Sequence, residues 1–435
     1  MLKKLNNFQK EIVLTKHKKV YVNAGAGTGK TTLIIARVYH LIRQGVLPDN
    51  ILIVAFNKKI VEEVNGKLYK KLGFDIANRI TIKTFHSFGR WIISKAQKHI
   101  KPIISDDKEL SKIITKARKH LQLKGSNKEL LPIIQACREN PKYLSKQTDD
   151  IKMLCKSYST VLKEEKRSDF AILIRKANML LKKNKELRNI IQNKFKYIFV
   201  DEFQDCSERR FKLLKQLTTD KTSLFLVGDT DQTILEWAGV SIDNIMCLTH
   251  TFSDLKHYTL EQSYRLPKTI CKASNSLIAK NKKRLDKTLK PIKNGGILKI
   301  KKFLKFEDEI SWCCNYINTI IKSGVSSNEI AILARKESVF FDIKNILSNT
   351  GIHISTIHKA KGLEFDSVVI LGIEKSIIPD NKDNLEEERR ILYVGMTRAK
   401  RSLILTYIDN GIRNIGFVKQ YVEKSPFIDE MNLSV

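Results

Sequence analysis

Residues Ala24 to Thr31 read Ala-Gly-Ala-Gly-Thr-Gly-Lys-Thr, between the apolar run Val20–Asn23 and the helical stretch Thr32–Leu41. A strand, a glycine-rich turn and a helix start form the setting in which backbone N–H groups converge on phosphate oxygens. Glycines let that backbone curl, Lys30 supplies the cation for β- and γ-phosphates, and the Thr31 hydroxyl suits Mg²⁺. The pattern departs from the usual motif only at Ala24, where glycine is the norm. A ligand-free glycine turn is the plain alternative, but the flanking strand and helix disfavour it. Farther on, Tyr197–Val200 is an apolar run ending in Asp201 and Glu202. Asp201 is placed to hold the Mg²⁺ shell, and Glu202 to orient and deprotonate an attacking water. An Asp-Glu pair alone often caps a strand in solvent. Beside a phosphate loop it implies nucleoside triphosphate hydrolysis.

The elements that must position these groups are legible as two α/β blocks with parallel sheets. The first has strand candidates at Val20–Asn23, Ile51–Phe56, Ile80–Phe85, Tyr197–Val200 and Ser223–Gly228. The second has them at Ile297–Phe303, Ile330–Ala334, Ile352–Ile357, Val368–Gly372 and Leu403–Tyr407. Between about 89 and 187 the apolar spacing turns helical, as in Leu110, Ile113, Ile114 and Ala117, and again in Ile151, Leu154, Tyr158 and Val161. That stretch reads as a helical insertion in the first block.

Composition narrows the class further. The 435 residues are 42 % hydrophobic, enough for packed cores and for about three domains. No apolar run reaches membrane-spanning length, and Met1–Lys10 lacks a signal-peptide core, so an intracellular protein with no membrane association is expected. Seven cysteines without a CxxC pair argue for reduced thiols and against a zinc ribbon. A net charge of +33 favours a polyanionic partner. Joint over-use of Lys, Ile and Asn offers a rival explanation in genomic base composition, so the charge supports a nucleic-acid reading without proving it.

Several further segments resemble the superfamily 1A DNA helicases of the UvrD/Rep/PcrA family, in family order from Leu5 to Arg401. They are Leu5–Gln9, Ala55–Lys59, Thr84–Phe88, Asp201–Asp205, Gly228–Ile234 with Trp237, Gln262–Arg265, Thr356–Phe365 and Tyr393–Lys400. The resemblance implies two RecA-like P-loop NTPase domains: the first from 1–88 and 188–260, the second from 261–435, with residues 89–187 as a helical insertion of the 1B type. It implies ATP and Mg²⁺ as cofactors. Gln9 would read adenine, since an amide can bond a base edge twice. Ala24, Gly25, Gly27, Thr28, Gly29, Lys30, Thr31 and Thr32 would cradle the phosphates, Tyr264 would stack on the base, and Glu364 would meet the ribose. Arg265 and Arg398 would touch the γ-phosphate across a cleft between the two domains, a task suited to guanidinium groups. Gln232 would couple that phosphate to the DNA track. Phe56 and Trp237 are the stacking candidates for bases, joined by Asn57, His86, His358 and Lys359 as polar or phosphate contacts.

Two departures stand out. Leu235 and Ala238 occupy positions where relatives carry Tyr and Arg around the tryptophan. Only Lys336–Ile352 separates the segments between which relatives insert a large 2B subdomain, so 2B is expected to be absent or vestigial. The resemblance implies an ATP-dependent 3′→5′ helicase or translocase in DNA replication, repair or recombination. Its partners would be single-stranded DNA, single/double-strand junctions, and a replication or repair protein. The competing reading is an ATP-gated DNA-sensing subunit of a nuclease–helicase complex of the Gabija-like anti-phage kind.

Overall fold

The computed structural model describes residues 1–97, 102–104, 106–119, 121, 123, 125–380, 382–416 and 418–432; the side chains of Lys142 and Trp237 lie outside that set. Contacts divide the chain into two units. The first holds Met1–Asn23, Lys30–Asp229 and Leu235–Thr259; the second holds Ala24–Gly29, Thr230–Ile234 and Leu260–Val435.

The first unit is built on a six-stranded sheet: β1 (Lys19–Ala24), β2 (Ile51–Ala55), β3 (Thr81–Thr84), β4 (Tyr197–Val200), β5 (Ser223–Gly228) and β6 (Leu255–Leu260), in the order β3-β2-β4-β5-β1-β6. The pairs β2–β3, β2–β4, β4–β5 and β1–β5 are parallel. Every residue of β1 and β2 is buried, as a parallel strand covered on both faces requires, which is why Val20–Val22 and Ile51–Ala55 are continuously apolar instead of alternating. Ligands of such sheets bind beyond the carboxyl ends of the strands. In this chain those exits carry Ala24–Thr31, Phe56–Asn57, Phe85–His86, Asp201–Glu202 and Asp229–Gln232.

Between β3 and β4 the described residues are mostly helical, from Phe85–Ala96 to Lys185–Lys194. The four residues of the first expected stripe are all buried on helix Asp107–Ala117, and Leu154 and Tyr158 of the second are buried on Asp149–Glu164. Side-chain caps start these helices: Ser126 and Glu129 form a reciprocal capping box, and Thr148 and Asp169 each accept a backbone N–H. Ile104, Leu110, Ile114, Leu130, Ile134 and Leu162 give the insertion a core of its own. The expected borders at 88/89 and 187/188 fall inside helices Phe85–Ala96 and Lys185–Lys194, because Thr84 caps the former directly at the end of β3.

The second unit opens with β7 (Gln262–Pro267), paired in parallel with β8 (Lys290–Lys293). Its main sheet has β9 (Ile297–Phe303), β10 (Ile330–Ala334), β11 (His353–Thr356), β12 (Phe365–Leu371) and β13 (Ala399–Ile408), all pairs parallel, in the order β11-β10-β12-β13-β9. Residues 336–352 contain the turn Glu337–Phe340 and the helix Phe341–Ile346. A hairpin, β14 (Gly411–Ile415) and β15 (Val418–Val422), closes the unit. Arg413 of β14 is fully buried between Glu309 and Glu374, at 2.7 and 2.6 Å, which ties the helix Phe306–Lys322, the hairpin and the segment after β12 by charge. The ten strands expected from sequence all occur, while β6, β7, β8, β14 and β15 escaped it: they are short, charged or interrupted by polar residues. All seven cysteines are free thiols.

Candidate nucleotide and nucleic-acid sites

In the first unit the helix Lys30–Arg43 brings Lys30 and Thr31 to the end of β4. Thr31 Oγ1 donates to Asp201 Oδ2 at 3.2 Å, and Lys30 Nζ lies 3.8 Å from Glu202 Oε1. Burial pushes the Asp201 carboxyl up to about 7; repulsion from Glu202 adds to this, while Lys30 and the Thr31 and Glu202 hydrogen bonds oppose it. A hydroxyl and a carboxylate are hard oxygen donors of the kind Mg²⁺ takes together with substrate phosphates and water. The residues present fit that ion; among the described residues no group of three His, Cys, Asp or Glu side chains forms a metal cage by itself. Glu202 sits in the left-handed region (φ 51°), a conformation costing on the order of 1 kcal/mol or more for a residue with a side chain. Its carboxylate accepts from Gln204 Nε2, and Gln204 Oε1 accepts from Asp229 N at 3.0 Å. Gln204 therefore links the carboxylate that would act on water to the segment after β5. Gln204 lies within the Asp201–Asp205 segment, where the sequence by itself gives it no separate task.

Gln9 is buried on helix Asn7–Leu14, where its Oε1 accepts from Asn6 N at 3.1 Å in a capping box. Thr32 is exposed.

The second unit contains the glycine-rich turn Ala24–Gly29, and β7 runs along it. Ser263 Oγ donates to Ala26 O and Tyr264 N to Gly27 O, both at 2.9 Å. Gly27 has φ +72°, and a Cβ there would stand 2.5 Å from Arg265 Cβ, so only glycine fits. Thr28 is buried and its hydroxyl closes the turn on Gly25 O at 2.9 Å; Gly29 is also left-handed, at φ +87°. Arg265 donates to Thr397 O at 3.2 Å and pairs with Glu364 at 2.6 Å. Arg398 is almost fully buried; its guanidinium donates to Val394 O (2.8 Å), Leu363 O (3.1 Å), Thr397 Oγ1 (3.0 Å) and Gln232 Oε1 (3.3 Å). Thr397 thus anchors both arginines, and Gln232 is held to one of them. Tyr264 keeps its ring exposed. Asp231 is buried with Arg284 (2.9 Å) and Lys287 (3.1 Å), and the Lys287 stem and Leu289 lie against Gly25. Neither basic residue falls in a recognisable motif, so the sequence carried no signal for them.

Of the two candidate stacking groups, the Phe56 ring lies among the described side chains and that of Trp237 lies outside them. Phe56 is half-buried at the exit of β2, with the Arg210 guanidinium 5.1 Å from its ring centre. Asn57 caps the next helix through Ile60 N at 2.9 Å. His86 Nε2 and Arg210 Nη2 each lie 3.5 Å from Glu139 Oε1, and Ser207 Oγ donates to Glu139 Oε2 at 2.8 Å. Asn140 Nδ2 donates to Gly239 O at 3.1 Å, fixing the turn Glu236–Ala238 that carries Trp237. Glu139 and Asn140 end helix Asn127–Glu139, so the insertion holds the surroundings of Phe56, His86 and Trp237. Nothing local in the sequence marks Glu139 for this, since its partners are 53 to 71 residues away. In the second unit Lys359 is exposed and pairs with Glu337. Burial, then Arg335 and Lys361, hold His358 down at about 3, so it is neutral at ordinary pH and offers a polar contact, not a cation for phosphate.

No helix among the described residues is long and apolar enough to cross a membrane. The UvrD/REP helicase N-terminal domain matches residues 5–253, and the UvrD-like helicase C-terminal domain matches 258–353 and 344–410. A probable DNA helicase of Mycoplasma pneumoniae is 28 % identical over 98 % of this chain and 86 % of its own length. The ATP-dependent DNA helicase Rep of Buchnera aphidicola (from Acyrthosiphon pisum) is 32 % identical over 79 % of this chain and 60 % of its own. The ATP-dependent DNA helicase PcrA of Staphylococcus epidermidis is 27 % identical over 90 % and 56 %. The chain thus spans less than two thirds of those Rep and PcrA relatives. With both domain types matched in order over most of its length, the chain belongs to the UvrD/Rep family of superfamily 1A helicases.

Proposed function

We propose that the protein is an ATP-dependent DNA helicase that moves 3′→5′ on single-stranded DNA and opens duplex at junctions during replication, repair or recombination. The observation that carries this reading is the meeting of Thr31 with Asp201 and of Lys30 with Glu202 at the end of one parallel strand. Lys30 binds the β- and γ-phosphates, Glu202 orients the attacking water and takes its proton, and Arg265 and Arg398 stabilise the charge on the γ-phosphoryl group as it passes from ADP to water. Thr31 and Asp201 would hold Mg²⁺, which neutralises phosphate charge when bound. Ala24–Thr32, Gln9, Tyr264 and Glu364 make up the nucleotide-binding set. Gln232, bonded to Arg398, passes the presence of the γ-phosphate to the track. Phe56 and Trp237 stack on bases, with Asn57, His86, His358 and Lys359 as flanking polar groups. Movement requires that the ATP and ADP states bind the strand differently. Duplex resists at about 1.4 kcal/mol per base-pair step.

The test is ATP hydrolysis with and without single-stranded DNA, run beside strand displacement on duplexes with 3′ or 5′ tails. Strong stimulation by DNA and unwinding from the 3′ tail alone are expected, both lost in Glu202→Gln. Unwinding from the 5′ tail would overturn the direction. Hydrolysis without unwinding on either tail would leave a DNA-gated ATPase, and full hydrolysis by Glu202→Gln would overturn the site.

A further inference from the structure

Arg138, Lys152, Lys156, Arg175 and Arg209 line a cleft of about 210 Å³ in the first unit, over a floor of Cys137, Leu144, Cys155 and Ala171. Two of these cations have partners: Arg138 with Asp169 (2.6 Å) and Lys152 with Asp149 (3.1 Å). Lys156, Arg175 and Arg209 have no carboxylate within ion-pair distance among the described residues. Arg209 Nε is fixed on Arg138 O at 2.6 Å, which orients its remaining N–H groups. Burial, then the nearby Arg175 and, more weakly, Arg138 loosen the hold of Arg209 on its proton, while Glu139 and Glu208 oppose them only in part. An anion would relieve that repulsion.

The cleft is smaller than the roughly 300–1,000 Å³ of sites that enclose a whole small molecule. It has room for one phosphoryl group. Its place in the fold indicates the source of that group. Arg138 and Glu139 are adjacent, as are Arg209 and Arg210. In each pair the first residue lines the cleft and the second joins the network beside His86 and Phe56. Successive residues on a helix point about 100° apart, so two helices serve both places at once. We propose that this cleft is a backbone-phosphate site for the DNA strand whose bases meet Phe56. The assignment rests on the DNA-track reading above and extends it into the helical insertion.

The experiment is fluorescence anisotropy of the full chain with labelled single-stranded DNA across a range of NaCl concentrations. Lys156→Ala/Arg175→Ala changes two exposed side chains that make no ion pair among the described residues, so folding is not at stake. The double variant is expected to bind several-fold more weakly, with a log–log salt slope shallower by about 0.7, the value for one phosphate of a single strand. Lys182→Ala/Lys183→Ala removes the same charge from exposed sites outside the cleft and is expected to keep the wild-type slope. An equal loss in both pairs would overturn the site in favour of a general field. An unchanged slope in the cleft variant, while Phe56→Ala weakens binding, would overturn the cleft alone. Wild-type protein that fails to bind DNA would overturn the track reading and the cleft with it. Calorimetry with inorganic phosphate supplies the other arm: binding abolished by the cleft substitutions, with DNA affinity and slope intact, would assign the cleft to free phosphate and refute the proposal.

Discussion

Glu139→Gln is the sharpest probe of how the helical insertion supports the track. Glu139 is 7 % exposed, and its two oxygens serve His86, Arg210 and Ser207. Burial by itself would push this carboxyl up. The Arg210 charge, then His86 and Ser207, outweigh that and hold it at about 2, against 4.5 when exposed. At 1.36 kcal/mol per pH unit the difference is worth about 3 kcal/mol of stability. Breaking a buried ion pair from one side costs about 3–5 kcal/mol by direct comparison, so the two routes agree. Because the folded value is depressed, the contribution is complete above pH ~4.5 and is lost as the pH falls toward ~2. Urea unfolding should therefore show Glu139→Gln about 3 kcal/mol less stable at pH 7, with the gap narrowing steadily below pH ~4.5. DNA-stimulated hydrolysis should fall as well, because Arg210 and His86 lose the group that fixes them near Phe56. A gap independent of pH, or equal stability at pH 7, would refute the argument.

Other substitutions test other parts of the chain. Phe56→Ala should weaken single-stranded DNA binding by about 1–3 kcal/mol, read by anisotropy, and leave DNA-free ATP hydrolysis intact. Arg398→Lys keeps the charge but cannot span Gln232, Thr397, Leu363 and Val394 together, so ATPase assays should show a large fall in kcat with little change in unfolding of the first unit. Arg413→Met leaves Glu309 and Glu374 facing each other in a buried site; denaturant unfolding should show a loss of about 3–5 kcal/mol. Gly27→Ala should abolish nucleotide binding, measured with a fluorescent ATP analogue, because its Cβ would collide with Arg265 Cβ at 2.5 Å.

The sequence alone determined the parts whose physics is local. A parallel strand buried on both faces must be an apolar run, which made Ile51–Ala55, Ile330–Ala334 and Val368–Leu371 legible. A phosphate-cradling turn must be glycine-rich and must open a helix, which marked Ala24–Thr31. Amphipathic spacing exposed the helices of the insertion. Only the tertiary structure decided which distant groups meet. Glu139 has the look of an ordinary helix-terminal carboxylate until the fold sets it against His86, Arg210 and Ser207. Arg284 and Lys287 pass for two among many basic residues until they enclose Asp231 beside Gly25, and Thr397 for a helix end until it anchors both arginines. Chain periodicity encodes which face of an element is dry. Pairing between charges far apart in sequence depends on how elements pack, and leaves no periodic trace from which it could be read.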